Sequence, residues 1–319
     1  MATIGTDQLR AAELLANGEI VAIPTETVYG LAANAMDPDA VLKVFQAKQR
    51  PSFDPLIVHV HSQEQLGELV QDPPPGAREL MGRFWPGPLT LVLPKTAVVP
   101  DIVTSGLDTV GLRMPAHPVA QELLRRVDFP LAAPSANPFG FVSPTTAAHV
   151  EAQLGGVVPY ILDGGPCTVG VESTIMGWES GPGRWVVYRP GGVPIEAIEA
   201  CIGPVTSATH ADRPAAPGML ENHYAPGKRL EVGDVVELLA KHQGRRAAVI
   251  AFHRPYPHAG SAWVLSPAAD LAEAARNLFA AIREADASDA EVILAERFPE
   301  EGLGRAINDR LRRASAKRV

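Results

Sequence analysis

Apolar positions in the first two hundred residues alternate between the spacing of helices and the spacing of strands. Leucines at positions 9, 14 and 15 predict a helix over residues 6–17, with Thr6 as its N-cap and Gly18 as its stop. The apolar run over residues 19–23 predicts a strand that ends at Pro24. Asp37-Pro38 opens a second helix, which ends before Pro51.

The same alternation continues as far as residue 202. Further strands are predicted at residues 56–60, 89–93, 109–113, 160–162, 173–176 and 185–189, and further helices at residues 76–84, 117–126, 144–154 and 194–202. Because strands and helices interleave, the pattern favours an α/β fold, with a mixed sheet covered by helices, over a β-sandwich.

The pattern breaks at residues 203–228, where Pro and Gly recur without an apolar period. Such a long irregular stretch is typical of a linker or a functional lid. We therefore predict a first domain over residues 1–205, a linker or lid over 206–228 and a second domain over 229–319. In the last of these, a strand at 246–253, a helix at 268–287, a strand at 291–295 and a helix at 302–317 predict a smaller doubly wound, Rossmann-like domain.

Composition places the chain among ordinary globular proteins. Of its 319 residues, 46% are hydrophobic and 20% are charged, and no apolar run is long enough to span a membrane. Its only cysteines, Cys167 and Cys201, have no CxxC spacing. They predict neither a disulfide framework nor a thiolate metal site, so we expect a cytoplasmic protein.

Charge differs between the two parts of the chain. Residues 1–205 contain 12 Lys and Arg against 21 Asp and Glu, whereas residues 206–319 contain 16 against 15. An acidic first part disfavours a broad non-specific nucleic-acid surface, because such surfaces work by neutralising phosphates. Any phosphate site there must be built from a few placed cations.

The segment PTETVYG, residues 24–30, is the first candidate for chemistry. Thr25, Glu26 and Thr27 lie in a turn that follows a predicted strand. Open α/β sheets bind ligands at such strand ends. The alternative is an ordinary loop in which threonine hydroxyls bond the local backbone.

Cations mark three further candidate segments. Lys48 and Arg50 end the second helix, where they converge on one anion only if the chain unwinds; attraction of cations to a helix C-terminus is the alternative. Arg113 ends an apolar strand, so it must snorkel, pair with an internal acid or bind a ligand anion, and we favour the ligand. Arg189 in YRPG is a weaker candidate at a strand edge.

Small polar residues supply the remaining candidates. Ser135, Asn137 and Ser143 occur in a Pro- and Gly-containing loop, and Ser143 also has the position of a helix N-cap, where free amides attract anions. Ser173 in GVEST lies at a strand edge. The sequence contains no GxxxxGK[ST], GxGxxG, GxSxG or HExxH motif, and no nucleophile–base pair stands out. The pattern thus favours phosphate and carboxylate recognition without a covalent enzyme intermediate.

These segments occur in a fixed order: PTETVYGLAANA, the K-x-R of Lys48 and Arg50, PLIVHV, WPGPLT, LRMPAHP, the S-x-N of Ser135 and Asn137, DGG and GVEST. In this order they resemble the YrdC-domain family. PGMLENHYAPG and the α/β unit after it resemble the long, two-domain form of that family. The resemblance implies a twisted mixed sheet in the first domain and a nucleotidyltransferase activity. The implied enzyme condenses L-threonine, bicarbonate and ATP to threonylcarbamoyl-AMP and pyrophosphate, for transfer by a partner complex to the tRNA adenosine beside the anticodon.

The resemblance also implies residue roles by motif position. The residues expected to bind L-threonine are Thr27, His59, Arg113 and Ser173, with Arg113 on the carboxylate. Those expected to bind ATP are Arg50, Thr109, Ser135, Ser143, Arg189 and Tyr224, the last closing over the nucleotide. The residues expected to be catalytic are Lys48, Arg50 and Asn137. Magnesium is expected to accompany ATP, although no carboxylate pair identifies its ligands. Asp54 departs from the Asn or Lys expected there, and an acid beside polyphosphate repels it unless a cation intervenes.

Two other functions stay open from the sequence. One is a non-catalytic module for double-stranded RNA or tRNA, which the arginines of the last helix favour slightly and the acidic first part disfavours. The other is a carbamoyl-transfer enzyme of the hydrogenase-maturation type, whose additional zinc-finger-like segments two cysteines cannot supply.

Overall fold

The computed structural model describes residues 1–208, 224–256 and 260–316. Its first domain contains, in chain order, β1 (Thr3–Gly5), α1 (Gln8–Ala16), β2 (Val21–Ile23), β3 (Gly30–Asn34), α2 (Pro38–Lys48), β4 (Ile57–His59), α3 (Leu66–Leu69), α4 (Ala77–Phe84), β5 (Leu89–Pro94), α5 (Asp101–Thr104), β6 (Thr109–Arg113), α6 (Pro118–Arg126), β7 (Leu131–Ala132), α7 (Ala147–Leu154), β8 (Tyr160–Leu162), β9 (Thr174–Glu179), β10 (Arg184–Arg189), α8 (Ile195–Ile202) and β11 (Thr206–Ser207).

The second domain contains β12 (Arg229–Gly233), α9 (Val235–Lys241), β13 (Ala247–Ala251), β14 (Ser261–Val264), α10 (Leu271–Ala287), β15 (Val292–Glu296) and α11 (Gly304–Ser315). None of the helices described in residues 1–208, 224–256 and 260–316 has the length and apolar character needed to cross a membrane.

Helix ends largely follow the capping signals in the sequence. The predicted cap of α1 is wrong by one residue, because the Asp7 carboxylate, rather than Thr6, accepts from the amides of Leu9 and Arg10. Asp37 caps α2 as predicted. Gln49 ends α2 in the left-handed conformation with φ of 51°, so the chain leaves the helix immediately before Arg50.

The first domain is built on a mixed eleven-stranded sheet with the order β1-β8-β2-β3-β7-β4-β6-β5-β9-β10-β11. Both of its faces are covered, as strand β2 illustrates. Val21 and Ile23 belong to an apolar cluster with α1 and α6, whereas Ala22 between them belongs to a cluster with α2, α4 and α7. This alternation is the period of two expected for a strand between two helical layers.

The second domain has a four-stranded sheet with the order β12-β15-β13-β14, in which every pair is parallel. Val249 and Ala251 face a cluster that includes Val235 of α9, and Ile250 faces the cluster of α10 and α11. The predicted doubly wound domain is therefore confirmed. Strand β11 pairs with β10, so the first sheet extends past the predicted boundary at residue 205. Residues 209–223 of the predicted lid lie outside the described residues.

The two domains share an apolar cluster. Val28, Val142 and Val171 of the first domain belong to the cluster formed by α10 and α11. A Cβ atom at Gly170, whose φ is +81°, would lie 2.3 Å from the Arg276 Cα atom. Helix α10 thus packs directly on the GVEST segment, which only glycine permits at this position.

Candidate active site

A cleft opens where strands β4 and β6 end. His59 and Arg113 are the last residues of these parallel strands and are neighbours in their register. Open α/β sheets place ligands at this end of their strands. The cleft is lined by Thr25, Thr27, Val28, Gly30, Arg50, Ile57, His59, Arg113, Ala133, Pro134, Ser135, Glu172, Ser173, Arg189 and Tyr224.

Most of the residues predicted for the site are brought together by this cleft. Those in its wall are Thr27, Arg50, His59, Arg113, Ser135, Ser173, Arg189 and Tyr224. Four predicted residues are not in its wall, namely Lys48, Thr109, Asn137 and Ser143. The structure thus unites segments that are up to about two hundred positions apart in the chain.

Arg113 is buried and already has partners on two sides. Its Nη1 atom donates to the Thr27 hydroxyl at 2.8 Å, and its Nε atom donates to the Gly87 carbonyl at 3.2 Å. Its Nη2 atom lies 2.6 Å from Glu26 Oε1 in an ion pair. Arg113 therefore pairs with an internal acid, which is one of the three alternatives. It also lines the cleft, and its binding of a ligand anion stays a prediction.

The turn of PTETVYG is held by its own threonine hydroxyl. Thr25 Oγ1 donates to the Val28 carbonyl at 2.6 Å and accepts from the amides of Thr27 and Val28 at 3.2 Å. The local bonding considered as the alternative is thus present. It also fixes Thr27, whose hydroxyl lies 2.8 Å from that of Thr25, against Arg113.

His59 is a buried and uncharged imidazole. Burial, together with the charge of Arg113, lowers the pKa of His59 to about 3. Its Nδ1 atom has no hydrogen-bond partner in the part of the chain that the structure describes. A neutral ring in the cleft wall can exchange hydrogen bonds with an amino acid without adding positive charge.

Arg50 and Asp54 form a second buried ion pair. Arg50 Nη2 lies 2.8 Å from Asp54 Oδ2 and donates to the Pro55 carbonyl at 2.9 Å. Burial raises the pKa of Asp54, while the charge of Arg50 acts against that rise. Asp54, which departs from the family pattern, is thus paired with Arg50. The positive charge of Arg50 offsets the repulsion between the Asp54 carboxylate and a phosphate.

Lys48 lies behind the S-x-N loop. Its Nζ atom donates to the carbonyls of Ser135 and Asn137, both at 2.5 Å. Burial, together with the charge of Arg50, lowers its pKa well below the usual value. The Asn137 amide donates to the carbonyls of Pro138 and Phe141, both at 2.9 Å. These contacts give both side chains a positioning role for the loop; their catalytic roles stay predictions.

Thr109 and Ser143 are not among the residues that line the cleft. Thr109 begins β6, about 13 Å along the strand from Arg113 at the usual rise per residue. Ser143 is not the helix N-cap that we predicted, because Thr146 caps α7. The Ser143 hydroxyl instead donates to Glu172 Oε1 at 2.5 Å. Their contacts with ATP stay predictions.

The segments GVEST and YRPG meet on the other side of the cleft. Arg189 Nη2 donates to the Ser173 carbonyl at 3.0 Å, and the Ser173 hydroxyl lies 2.7 Å from the Thr90 hydroxyl. Tyr224 is fully buried and stacks on Phe279 of α10, with ring centres 5.5 Å apart. The second domain therefore supplies the surface against which Tyr224 reaches the cleft.

Sequence reasoning gave no role to two acids: Glu26 was noted in its candidate segment without a partner, and in GVEST Ser173 was singled out instead of Glu172. Glu26 pairs with Arg113, and Glu172 lines the cleft and accepts from Arg310. The signal that could have found Glu26 was the buried cation itself, because a charge inside an apolar strand end requires a counter-charge.

The cleft has the chemistry of an anion site. Arg50, Arg113 and Arg189 line it, together with several hydroxyls. Among the described residues, no group of three or more His, Cys, Asp or Glu side chains is placed to hold a metal ion. The residues present thus do not form an all-protein magnesium site. They suit a bound carboxylate and a chain of phosphates.

Comparison with known proteins identifies the class. The family model for Sua5, YciO and YrdC proteins, described as "Telomere recombination", matches residues 13–191. The model described as "Threonylcarbamoyl-AMP synthase, C-terminal domain" matches residues 193–316. The chain therefore belongs to the Sua5–YciO–YrdC family, in its two-domain form.

Full-length relatives narrow the class further. The chain is 45% identical to the threonylcarbamoyl-AMP synthase of Pyrococcus abyssi, over 97% of this chain and 94% of that protein. It is 43% identical to the Bacillus subtilis threonylcarbamoyl-AMP synthase, over 97% and 93%. A crystal structure of P. abyssi Sua5 complexed with L-threonine matches with a TM-score of 0.90 and 43% identity, over 99% of this chain and 97% of that one. The chain is thus grouped with the two-domain threonylcarbamoyl-AMP synthases.

Proposed function

We propose that the chain condenses L-threonine, bicarbonate and ATP to threonylcarbamoyl-AMP and pyrophosphate. The observation that carries the proposal is the placement of Arg113 and His59 in the same cleft as Arg50 and Ser135. Arg113 and His59 suit the polar groups of an amino acid, whereas Arg50 and Ser135 suit phosphate oxygens. A cleft that holds both brings the amino group of threonine to the phosphates of ATP.

The reaction follows from that juxtaposition. The threonine nitrogen attacks the bicarbonate carbon, and water is lost to give a carbamate. A carbamate oxygen then attacks the α-phosphorus, and pyrophosphate leaves. Because no covalent enzyme intermediate is needed, the protein contributes by positioning both substrates and by balancing charge.

In the threonine part of the cleft, we assign the carboxylate to Arg113 and the neighbouring polar contacts to Thr27, His59 and Ser173. The imidazole of His59, whose pKa is lowered by burial, adds no positive charge beside Arg113. Burial of these groups strengthens their hydrogen bonds to a bound ligand.

In the nucleotide part, we assign ATP contacts to Arg50, Ser135 and Arg189, with Tyr224 beside the nucleotide. Magnesium would arrive with ATP, since phosphate oxygens and water are its usual ligands. Transfer of the product's threonylcarbamoyl group to tRNA is the proposed next step, by a separate complex. A cytoplasmic location stays a prediction.

A stand-alone RNA-binding role has less support. Among the described arginines of the last helix, Arg310 is buried against Glu172 and Arg305 pairs with Glu196, whereas Lys317 and Arg318 lie outside the described residues. Arg312 and Arg313 both pair with Asp309. The hydrogenase-maturation alternative also weakens, since residues 193–316 match the C-terminal domain of threonylcarbamoyl-AMP synthases.

Labelled bicarbonate tests the proposal. The chain is incubated with ATP, magnesium and carbon-labelled bicarbonate, with or without L-threonine, and nucleotide products are separated and counted. The expected result is label in an adenylate that forms only with threonine. Label in that fraction without threonine, or none with it, would contradict the proposal.

A further inference from the structure

Arg310 of helix α11 reaches from the second domain to the wall of the cleft. Its side chain is completely buried. Its Nε atom donates to Glu172 Oε2 at 2.7 Å, and its Nη1 atom donates to the Pro190 carbonyl at 2.9 Å and to Asp309 Oδ2 at 2.8 Å. A single side chain of the second domain thus contacts both GVEST and YRPG.

The same guanidinium also lies over a third segment of the cleft. Its central carbon is 5.3 Å from the centre of the Tyr224 ring, within the range of a cation–π contact. Tyr224 and Glu172 line the cleft, and Pro190 follows the lining residue Arg189. Arg310 therefore connects three segments of the site without lining it.

Glu172 is the residue of the cleft wall whose charge Arg310 contacts directly. One carboxylate oxygen accepts from Arg310, and the other accepts from the Ser143 hydroxyl at 2.5 Å. Burial alone would raise the pKa of Glu172, but the charges of Arg310 and Arg189 outweigh it and lower that pKa. The cleft thus contains a carboxylate that stays ionised.

An ionised carboxylate in the wall of a phosphate site repels the ligand unless its charge is balanced. The cleft arginines Arg50 and Arg113 already have acids of their own, Asp54 and Glu26. In the part of the chain that the structure describes, Arg310 donates directly to the Glu172 carboxylate, and the charge of Arg189 also lowers the pKa of that carboxyl.

We propose that Arg310 is a positioning residue that fixes and neutralises Glu172, so that the cleft accepts the polyphosphate of ATP. This inference rests on the proposed function for the identity of the ligand. In this proposal the second domain contributes to nucleotide binding, and it does so through the one buried side chain of Arg310.

The test compares the affinities for ATP and for L-threonine by calorimetry on the full chain. The variants are Arg310→Met, Glu172→Gln and the double variant, with Arg310→Lys to retain a charge. Arg305→Ala is the matched control, because Arg305 also lies on α11 and also bridges the domains, 2.5 Å from Glu196, but is paired at the surface. Thermal unfolding of each variant separates loss of fold from loss of binding.

For Arg310→Met we expect the ATP affinity to fall at least about tenfold and the threonine affinity by less than about threefold, because threonine carries no net charge. Adding Glu172→Gln, which keeps an acceptor for Ser143, is expected to restore at least half of the loss on a logarithmic scale. Arg310→Lys is expected to fall between wild type and Arg310→Met. Arg305→Ala is expected to leave both affinities unchanged.

Equal losses for ATP and threonine, or a double variant that binds ATP no better than Arg310→Met, would overturn the role of Arg310. If Arg310→Met does not fold, the ATP and threonine affinities of Arg310→Lys and of the double variant are compared with those of Arg305→Ala. Equal losses for the two ligands again overturn the role of Arg310. Threonine-dependent pyrophosphate release by the wild type is measured in parallel. Its absence with normal ATP binding overturns the proposed function alone, whereas a wild type that binds no ATP overturns both.

Discussion

Arg113 and Glu26 form a buried ion pair at the cleft, with Arg113 Nη2 2.6 Å from Glu26 Oε1. Arg50 and Asp54 repeat the arrangement, with 2.8 Å between Nη2 and Oδ2. Because these cations are already matched by acids, the cleft does not attract ligands by a strong net charge. Recognition instead depends on where the donors point, which makes the site sensitive to loss of either member of a pair.

Substitution of Arg113 tests its role on the threonine carboxylate. Arg113→Ala is expected to lower threonine affinity at least about tenfold more than ATP affinity, because a charge-assisted contact to the carboxylate is lost. Arg184→Ala is the control, since Arg184 is a surface arginine that pairs with Glu179 outside the cleft. Calorimetric titration with each ligand checks this, and equal losses for both ligands would exclude the carboxylate contact.

The buried His59 predicts a specific dependence of stability on pH. Its pKa of about 3 in the fold is below that of an unfolded histidine, near 6.5, so only the unfolded chain takes up a proton between these values. Stability from this group is complete above pH 6.5 and is lost as pH falls toward 3.

His59→Gln is expected to remove that dependence. The free energy of unfolding of the wild type should fall by about 1 kcal/mol more than that of the variant between pH 6 and pH 5. Urea unfolding at both pH values measures the difference. Identical losses in the two proteins would show that His59 is not held neutral. His149, whose pKa burial lowers to about 4, contributes the same trend to both proteins and cancels.

The ring of Tyr224 is expected to matter more than its hydroxyl. Tyr224→Ala removes the stack on Phe279 and the contact with Arg310, and should cost about 3–5 kcal/mol of stability as well as ATP affinity. Tyr224→Phe keeps the ring and is expected to bind ATP within about threefold of wild type. A Phe variant as weak as the Ala variant would place the function in the hydroxyl.

Lys48→Met separates positioning of the S-x-N loop from chemistry. The change keeps an unbranched side chain but leaves the carbonyls of Ser135 and Asn137 without their donor, at about 1–3 kcal/mol for each buried group. We expect lower thermal stability and a higher KM for ATP, with a smaller change in kcat. A large fall in kcat at unchanged KM would support the catalytic role that the motif implies.

Much of the fold was predictable because the apolar pattern matched the period of each long element. The doubly wound second domain is confirmed, and β6, β8 and α8 fall at or within one residue of their predicted limits. Among the described strands, β1, β3, β7, β11, β12 and β14 were missed. β3 is a run of small residues, GLAAN, with little β propensity, and β7 has only two residues, so long-range pairing decides both.

The candidate site was predictable at the level of motifs but not of contacts. The motif order identified eight of the residues that line the cleft. Spacing alone could not show that Lys48 points behind the loop or that Ser143 bonds Glu172. The contribution of α11 to the cleft could not be predicted from the sequence either. Its arginines resembled a basic surface, and burial of Arg310 depends on packing between two domains that no local pattern encodes.

Pyrophosphate release tests most directly whether one cleft joins an amino acid to a nucleotide. The rate is measured with ATP, magnesium, L-threonine and bicarbonate together, and then with each substrate omitted. We predict release that requires both threonine and bicarbonate. Release that continues when threonine is withheld would contradict the account, because ATP would then be cleaved without the reaction that the cleft is built to position.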